Sequence, residues 1–474
     1  MLRLVASPFA VGVFSRFSGQ IIAFVTVMLA SRFLDLAEFG TYALAWAGAV
    51  IANSFVFTGF YQALLRSPNP DRDRDTIFWL IFSVGAFSAL VIGMVGLIAG
   101  GMATPAGQAF CLLAPIPVLM SLVAWNEAQL VGAKRIRSAS SYVIVSEGCA
   151  LIVAYLCLKQ GYGLLSLIAA RYTMVSVAII LTSALVRKRP LLRINRETVL
   201  GCRTTVPPLW GTTAMGMFSN YGTDMVLGAF LSSVAVGAYR GGARIAMTVS
   251  DLVLQPMVML SWSRFTGLEK DARPDLMRGA WVENMTLAAM MIWPAMISVA
   301  LLAPEMVLVV FDETWLPAAP IVALLSISRA IGFVSALLEP TMICRGRAAA
   351  QLKIRLIGVT CLLVSLLAFG RFSVGAAAMA HLSTSVVVGT LSIRAMAGVL
   401  DLGRRDLIRT FLPGLILAAV CATAIVSTTP LRAGLDPSMD PSVGLFATIG
   451  LLAGIWLIAM IIGFKRRILV LPSP

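Results

Sequence analysis

The sequence predicts an all-α polytopic membrane protein of about 14 transmembrane helices. Of the 474 residues, 59% are hydrophobic and 12% are charged, whereas a water-soluble domain carries about 25% charged residues. Long apolar runs, each near the ~20 residues that a helix needs to cross a bilayer, follow one another along the whole chain. Nothing in the sequence resembles the ~10-residue alternating strands of an outer-membrane barrel. Helices are therefore the structure in which the backbone hydrogen bonds of these runs can be formed in lipid.

The apolar runs define the predicted spans. They cover residues 9–31, 40–65, 77–101, 107–131, 140–159, 162–186, 204–230, 237–263, 280–303, 318–340, 354–370, 373–393, 410–428 and 443–464. The segments between them are short, so we expect one membrane unit without a large soluble domain.

The net charge of +15 reflects membrane topology rather than nucleic-acid binding. If the amino terminus is cytoplasmic, the inner loops and tails hold 28 of the 37 lysines and arginines, and the outer loops hold four. This bias follows the positive-inside rule and predicts an even number of spans with both termini in the cytoplasm. The other five basic residues lie inside spans.

A repeat with an offset of about 197 residues relates the two halves of the chain. Aligning Gly40 with Gly237 also brings Tyr42 onto Tyr239 in two short outer turns. The same offset aligns Met28 with Met225, Phe33 with Phe230 and Leu34 with Leu231. Since six spans precede the second copy, both copies have the same orientation, as in a parallel pseudo-two-fold repeat. The aligned turn has either a mechanical role, with glycine allowing a tight turn, or a role in gating.

The repeat predicts three parts of the chain. Residues 1–195 form an amino-terminal six-helix lobe, 196–400 a second six-helix lobe, and 401–474 two additional transmembrane helices and a cytoplasmic tail.

Five arginines inside spans are the predicted binding residues. They are Arg16, Arg171, Arg240, Arg244 and Arg329. An ionised side chain in a bilayer costs at least a few kcal/mol, so each needs a partner, a wet cavity or a snorkelling path. Guanidinium binds phosphate bidentately and stays charged, so the five predict a cationic cavity for an anionic substrate. For Arg16 the alternative to a place in the cavity is that its side chain snorkels to the cytoplasmic surface.

Four acids lie inside the same spans, namely Glu127, Glu147, Asp224 and Asp251. They either neutralise arginines or bind a coupling cation. Asp224 and Arg244 both lie roughly 10 Å from the outer ends of their spans, so we expect them to pair, as a structural ion pair or as part of a substrate or ion site. The sequence has no metal-ligand spacing and no Walker-type phosphate loop, so we expect neither a metal nor a cofactor.

Three segments resemble a known family. "LASRFLDLAEFGTYALA" is similar to the opening of bacterial polysaccharide and oligosaccharide flippases, within the multidrug/oligosaccharidyl-lipid/polysaccharide transporter superfamily. "NYGTDMVLGAFLSSVAVGAYRGGARI" and "APEMVLVVFDETWLPAAPIVALLSI" resemble that family at the seventh and eighth spans and at the outer segment before the tenth. The resemblance covers the first twelve spans.

The resemblance implies a function and a location. The protein would move undecaprenyl-pyrophosphate-linked oligosaccharide units across a bacterial cytoplasmic (inner) membrane by alternating access, for exopolysaccharide, O-antigen (lipopolysaccharide) or capsule biosynthesis. It would be a transporter rather than an enzyme. Its partners would be the lipid-linked oligosaccharide, membrane lipids, and a polysaccharide polymerase with other assembly proteins.

Three other functions stay open. A cation-coupled multidrug exporter of the same superfamily commonly carries an acid in the first span, where this sequence has Arg16. A membrane polysaccharide polymerase or ligase needs a large outer loop with catalytic groups, and the outer loops here are short. A scaffold for an envelope-assembly complex needs no intramembrane arginines.

Overall fold

The structure, a computed structural model, describes residues 8–270, 276–433 and 441–465, and these ranges contain helices and no strand. Side chains are described in the same ranges apart from 8–17, 136, 137, 140, 429–433 and 441. The helices are α1 (Pro8–Ser31), α2 (Leu36–Val56), α3 (Phe60–Arg66), α4 (Pro70–Ile98), α5 (Pro105–Leu113), α6 (Ile116–Gly132), α7 (Ile136–Lys159), α8 (Leu164–Val186), α9 (Arg196–Phe230), α10 (Ser233–Lys270), α11 (Met277–Leu301), α12 (Ala303–Val310), α13 (Ala319–Gly332), α14 (Leu338–Cys344), α15 (Ala348–Ser365), α16 (Val374–Leu400), α17 (Arg404–Ala433) and α18 (Pro441–Lys465).

Twelve helical segments of the described residues are long and apolar enough to cross a membrane. The helices α1 and α9, with 24 and 35 residues, occupy the positions of the first and seventh predicted spans. The all-α prediction is therefore confirmed, and about 14 spans is consistent with the structure. Several spans are built from consecutive pieces, such as α2 with α3 and α5 with α6.

The chain forms two compact units, Met1–Arg240 and Gly241–Pro474. In the first unit α7 packs along α8 and α1, and α6 packs against α4 and α8. In the second unit α17 packs along α11, and α13 along α16. The first turns of α10 belong to the first unit. The lobes predicted from the repeat, with boundaries at residues 195 and 400, stay a prediction.

The two glycines that the repeat aligns contact each other in the first unit. A Cβ on Gly40 would lie 1.8 Å from the carbonyl oxygen of Ser233 and 2.7 Å from the nitrogen of Gly237. A Cβ on Gly237 would lie 2.1 Å from the carbonyl oxygen of Leu36. The first turns of α2 and α10 therefore pack backbone against backbone, an approach that a side chain at either position would block.

We predict that Gly40→Ala and Gly237→Ala each lower the free energy of unfolding, because each methyl group overlaps backbone atoms that cannot move without parting α2 from α10. A cost of about 1–3 kcal/mol is usual for an overpacked contact. The measurement is thermal unfolding of the purified protein in detergent. Gly398→Ala is the control, since its Cβ would have nothing within 4 Å. Equal stability of all three variants would contradict the contact.

The two carboxy-terminal helices are tied to α11 at a proline. Pro294 lies inside α11 and has no N–H, so the carbonyl of Met290, four residues earlier, loses its partner within the helix. The indole Nε1 of Trp456 on α18 donates a hydrogen bond to this oxygen at 3.2 Å. Such replacement of a freed backbone bond by a neighbouring helix is what makes proline tolerable in lipid.

An apolar cluster surrounds this hydrogen bond. Its buried members are Met290, Leu302, Leu417, Cys421, Ile425, Leu445, Leu452 and Met460. A Cβ on Gly414 would lie 2.7 Å from the backbone of Ala289, so α17 and α11 also approach closely. The last two helices therefore belong to the core of the second unit.

We predict that Trp456→Phe lowers the free energy of unfolding by about 1–3 kcal/mol, because it leaves the carbonyl of Met290 unpaired. In a Pro294→Ala background Trp456→Phe should lower the free energy of unfolding by less, since the N–H of the alanine can donate a hydrogen bond to the carbonyl of Met290. A double-mutant cycle measured by thermal unfolding gives the coupling between the two positions. Strict additivity would show that Trp456 and Pro294 are unrelated.

Candidate functional site

Charged and aromatic side chains meet at one depth of the first unit. At 1.5 Å per residue, Tyr42, Arg171 and Arg240 each lie about 10 Å from the helix starts at Leu36, Leu164 and Ser233. Asp224 lies equally deep from the end of α9. All these ends are on the predicted outer side. We call Tyr42, Trp46, Glu147, Arg171, Tyr221, Asp224 and Arg240 the arginine cluster.

Arg171 on α8 is held by side chains from α2 and α7. Its Nε donates to the hydroxyl of Tyr42 at 2.8 Å, and its guanidinium carbon lies 4.4 Å from the ring centroid of Trp46. The rings of Tyr42 and Trp46, one turn apart on α2, stack at 6.4 Å. Glu147 supplies the counter-charge, with its Oε2 3.6 Å from Nη1. That separation is too long for a good hydrogen bond, so the pair is loose.

Asp224 and Arg240 form a tighter ion pair between α9 and α10. The side chain of Asp224 is fully buried, while that of Arg240 is 18% exposed. Arg240 also donates to the carbonyl of Asn220 at 3.3 Å, and its guanidinium lies 4.3 Å from the ring of Tyr221. The other carboxylate oxygen of Asp224, Oδ1, accepts no hydrogen bond from the described residues.

Asp224 pairs with Arg240, which lies one helical turn before Arg244 on α10. The expected pairing of Asp224 with Arg244 stays a prediction. Residues four apart lie on the same face of a helix, so Arg240 and Arg244 share one face of α10. Arg244 is half-buried on α10 in the second unit.

The two ion pairs of the arginine cluster are neighbours. Tyr221 lies close enough to interact electrostatically with both Arg171 and Arg240. Glu147 and Asp224 balance these two arginines, so the cluster is neutral as a whole. The structure thus brings together two of the predicted arginines with two of the predicted acids.

The second unit contains a more open pair. Asp251 on α10 and Arg329 on α13 approach to 3.5 Å, and each side chain is about a third exposed. Ser250 donates to the same Oδ1 of Asp251 at 3.3 Å. Both ions stay partly accessible to solvent, so this pair contributes less to the packing of the helices than the buried pair of Asp224 and Arg240 does.

The other two predicted site residues stand apart from these pairs. Arg16 lies in α1, in the part whose side chains are outside the described residues. Glu127 on α6 accepts from the hydroxyl of Tyr61 at 3.0 Å and from the hydroxyl of Tyr142. Three helical segments thus meet at this carboxylate. Within the described ranges, no three His, Cys, Asp or Glu residues form a metal-binding group.

Sequence reasoning missed the aromatic members of the site. Tyr42 stood out only as part of the repeated turn, and Trp46, Tyr61, Tyr142 and Tyr221 carried no signal of their own. The spacing of Tyr42 and Trp46 at i and i+4 could have shown that the two rings share a helix face. Their contact with Arg171 depends on packing between distant segments.

The sequence over residues 28–320 matches the model of a family described as "Polysaccharide biosynthesis protein". The chain belongs to this family. The resemblance to polysaccharide flippases seen in the sequence is thereby confirmed, and the matched region includes the whole arginine cluster.

A curated relative agrees with the family. The chain is 25% identical over 319 residues to "Succinoglycan biosynthesis transport protein ExoT" of Rhizobium meliloti (strain 1021). This alignment covers 65% of the present chain and 63% of the relative. The chain therefore matches less than two thirds of the length of that relative.

Solved structures share the fold. "Lipid II flippase MurJ, inward closed conformation" matches with a TM-score of 0.77 at 11% identity, over 96% of this chain and 99% of that one. An inward-facing multidrug resistance MATE family transporter of the MOP superfamily matches with a TM-score of 0.64 at 12% identity, over 81% and 96% of the two chains. At such identities the likeness shows the fold alone, which is that of this superfamily. The protein is accordingly a multi-pass membrane protein.

We predict that Asp224→Asn destabilises the protein strongly, because it leaves the charge of Arg240 buried without a counter-ion. Breaking a buried pair costs about 3–5 kcal/mol. The double variant Asp224→Asn/Arg240→Gln should recover much of this loss, measured as the change in unfolding free energy.

The pair Arg278–Asp406 is the matched control. These side chains are 48% and 24% exposed, so Asp406→Asn should cost at most about 1 kcal/mol. If Asp224→Asn were as mild as Asp406→Asn, the buried pair would not stabilise the fold.

Proposed function

We propose that this protein flips undecaprenyl-pyrophosphate-linked oligosaccharides from the cytoplasmic to the periplasmic leaflet of a bacterial cytoplasmic membrane. The product would feed exopolysaccharide, O-antigen or capsule biosynthesis. Both termini would face the cytoplasm, in keeping with the 28 basic residues that the predicted inner segments hold against four in the outer ones.

Family and relatives support a transport role in polysaccharide synthesis. The family description names polysaccharide biosynthesis, the name of the curated relative adds transport, and the structural neighbours are named as a lipid flippase and a drug transporter. The drug transporter shows that fold alone does not choose the cargo. The choice of a lipid-linked anion must come from the chemistry of the site.

The observation that carries the proposal is the composition of the arginine cluster. Arg171 offers a guanidinium whose counter-ion, Glu147, lies 3.6 Å away, and a diphosphate can compete for such a loosely held cation because it binds guanidinium bidentately. The half-buried rings of Trp46 and Tyr221 provide flat faces for sugar rings. An organic cation cannot replace Glu147 as the counter-ion of Arg171.

The cluster lies just below the contact between α2 and α10. Gly40 and Gly237 bring the outer ends of these helices together, so cargo at the cluster could leave on the outer side only after the two helices part. Release to the periplasm in alternating access would therefore require this backbone contact to open. Glu147 and Asp224 are the carboxylates beside the arginines and the candidate groups for a coupling cation.

Transport of this kind makes and breaks no covalent bond, so we propose a transporter and not an enzyme. Its direct partners would be the lipid-linked oligosaccharide and the surrounding lipids. A polysaccharide polymerase and other assembly proteins would receive the flipped unit on the outer side.

We predict that Arg171→Gln lowers flipping at least about tenfold, because it removes the guanidinium from the cluster, while Arg171→Lys retains part of the activity by keeping the charge. The measurement is the amount of lipid-linked oligosaccharide in each leaflet of cells that lack the protein and are complemented with each variant. With the wild-type protein the lipid-linked oligosaccharide should move from the inner to the outer leaflet, and with Arg171→Gln it should accumulate in the inner leaflet.

Arg371→Gln is the control, since Arg371 is exposed and lies outside the arginine cluster. Protein amounts in the membrane must be equal among the variants. If loss of the protein leaves the distribution of lipid-linked sugars unchanged and abolishes efflux of organic cations, the protein is a drug exporter. If Arg171→Gln supports normal flipping, the flippase binds its cargo elsewhere.

A further inference from the structure

The segment between α8 and α9 is fixed to α4. We call residues 187–195 the basic strap; in it, Arg187, Lys188, Arg189 and Arg193 surround Pro190, Leu191, Leu192 and Ile194. Its backbone is bonded to two side chains of α4: the Nε1 of Trp79 donates to the carbonyl of Leu191 at 3.0 Å, and the hydroxyl of Thr76 donates to the carbonyl of Arg193 at 3.2 Å. The position of the strap is therefore defined although it has no regular secondary structure.

Polar contacts secure both ends of the strap. Lys188 pairs with Asp71 at 3.0 Å, and Glu197 just after the strap pairs with Arg72 at 2.5 Å. The backbone N–H of Asn195 donates to Thr76 at 2.9 Å. These contacts hold the strap against α4 while Arg187, Arg189 and Arg193 stay exposed.

The strap lies at the level where the apolar part of α4 begins. Asp75 is the last charged residue of α4 before its apolar run, and the two side chains that hold the strap, Thr76 and Trp79, follow directly. Tryptophan prefers the membrane–water interface. The strap therefore runs along the predicted inner boundary of the bilayer.

The side chains that leave the strap on the other side are apolar and cationic. Leu192 is 80% exposed and Ile194 is 72% exposed, a large apolar surface for a segment at the edge of the spans. Arg189 and Arg193 are exposed as well, and so is Arg196, the first residue of α9 directly after the strap. No carboxylate of the described residues lies within salt-bridge distance of these three guanidinium groups.

We propose that the basic strap is a binding surface for anionic phospholipids of the cytoplasmic leaflet. Leu192 and Ile194 insert among the acyl chains next to the glycerol groups, and the flanking arginines contact the phosphates. The combination of apolar anchors with cations at one level is what binds a peptide segment to an anionic membrane surface.

The arrangement fits many phospholipid headgroups better than one diphosphate. A guanidinium binds one diphosphate bidentately, but no described acidic or aromatic side chain draws these arginines to one point. Both arginines of the arginine cluster lie about 10 Å from the outer ends of their helices, on the outer side of the membrane. The strap is therefore a separate surface from the proposed cargo site.

The test uses the purified full-length protein in a neutral detergent, titrated with phosphatidylglycerol or phosphatidylcholine. Thermal unfolding and native mass spectrometry report binding. Wild type should be stabilised by phosphatidylglycerol over phosphatidylcholine, and Arg189→Gln/Arg193→Gln/Arg196→Gln should reduce the apparent affinity for phosphatidylglycerol about tenfold. Leu192→Ser/Ile194→Ser should weaken the binding of both lipids while keeping the charge.

Two further variants separate the strap from general effects. Lys353→Gln/Arg355→Gln/Arg405→Gln removes three exposed basic residues from other inner segments and should bind phosphatidylglycerol as wild type does. Arg189→Lys/Arg193→Lys/Arg196→Lys keeps the charge and should retain the preference for phosphatidylglycerol.

Wild-type affinity of the glutamine triple variant for phosphatidylglycerol would overturn the proposal. So would the finding that this variant binds phosphatidylglycerol normally but has lost binding of undecaprenyl pyrophosphate, since the strap would then capture cargo. Both outcomes are independent of flipping, because binding is measured without transport.

Discussion

Compensation of charge inside the bilayer is the constraint on which this structure depends. Arg171, Arg240 and Arg329 each meet a carboxylate from a neighbouring helix, and these three pairs join α8 to α7, α10 to α9 and α13 to α10. An ionised group in lipid needs such a partner, so the charges also fix which helices can be neighbours. Cargo that binds one of these arginines must exchange places with a protein carboxylate. The looser pairs, Arg171–Glu147 and Arg329–Asp251, allow that exchange more readily than Arg240–Asp224.

Much of the fold could be predicted because its signals are local. Apolar runs of span length give the helices, the positions of Lys and Arg give a topology, and the similarity around Gly40 and Gly237 pointed to the turns that prove to contact each other. The breaks within spans were less visible. The second span is interrupted where Gly59 adopts a φ of +64°, and an apolar run gives no sign of such an interruption.

The site was harder to predict because it depends on distances between helices. Sequence reasoning could select the intramembrane arginines and acids as a set, since an intramembrane charge is rare whatever its partner. It expected Arg244 beside Asp224, whereas the structure pairs Asp224 with Arg240, on the same helix face one turn earlier. The hydroxyl groups of Tyr61 and Tyr142 meet Glu127 only through the packing of three segments.

The hydrogen bond from Trp456 to the carbonyl of Met290 has an evolutionary consequence. A shorter relative with only the first twelve spans could not keep Pro294 unchanged, because the carbonyl that this proline frees would face acyl chains. Loss of the last two helices and loss of the proline would have to occur together, or another donor would have to replace the indole. The presence of a proline at this position in α11 should therefore vary with the presence of the terminal helix pair among homologous sequences.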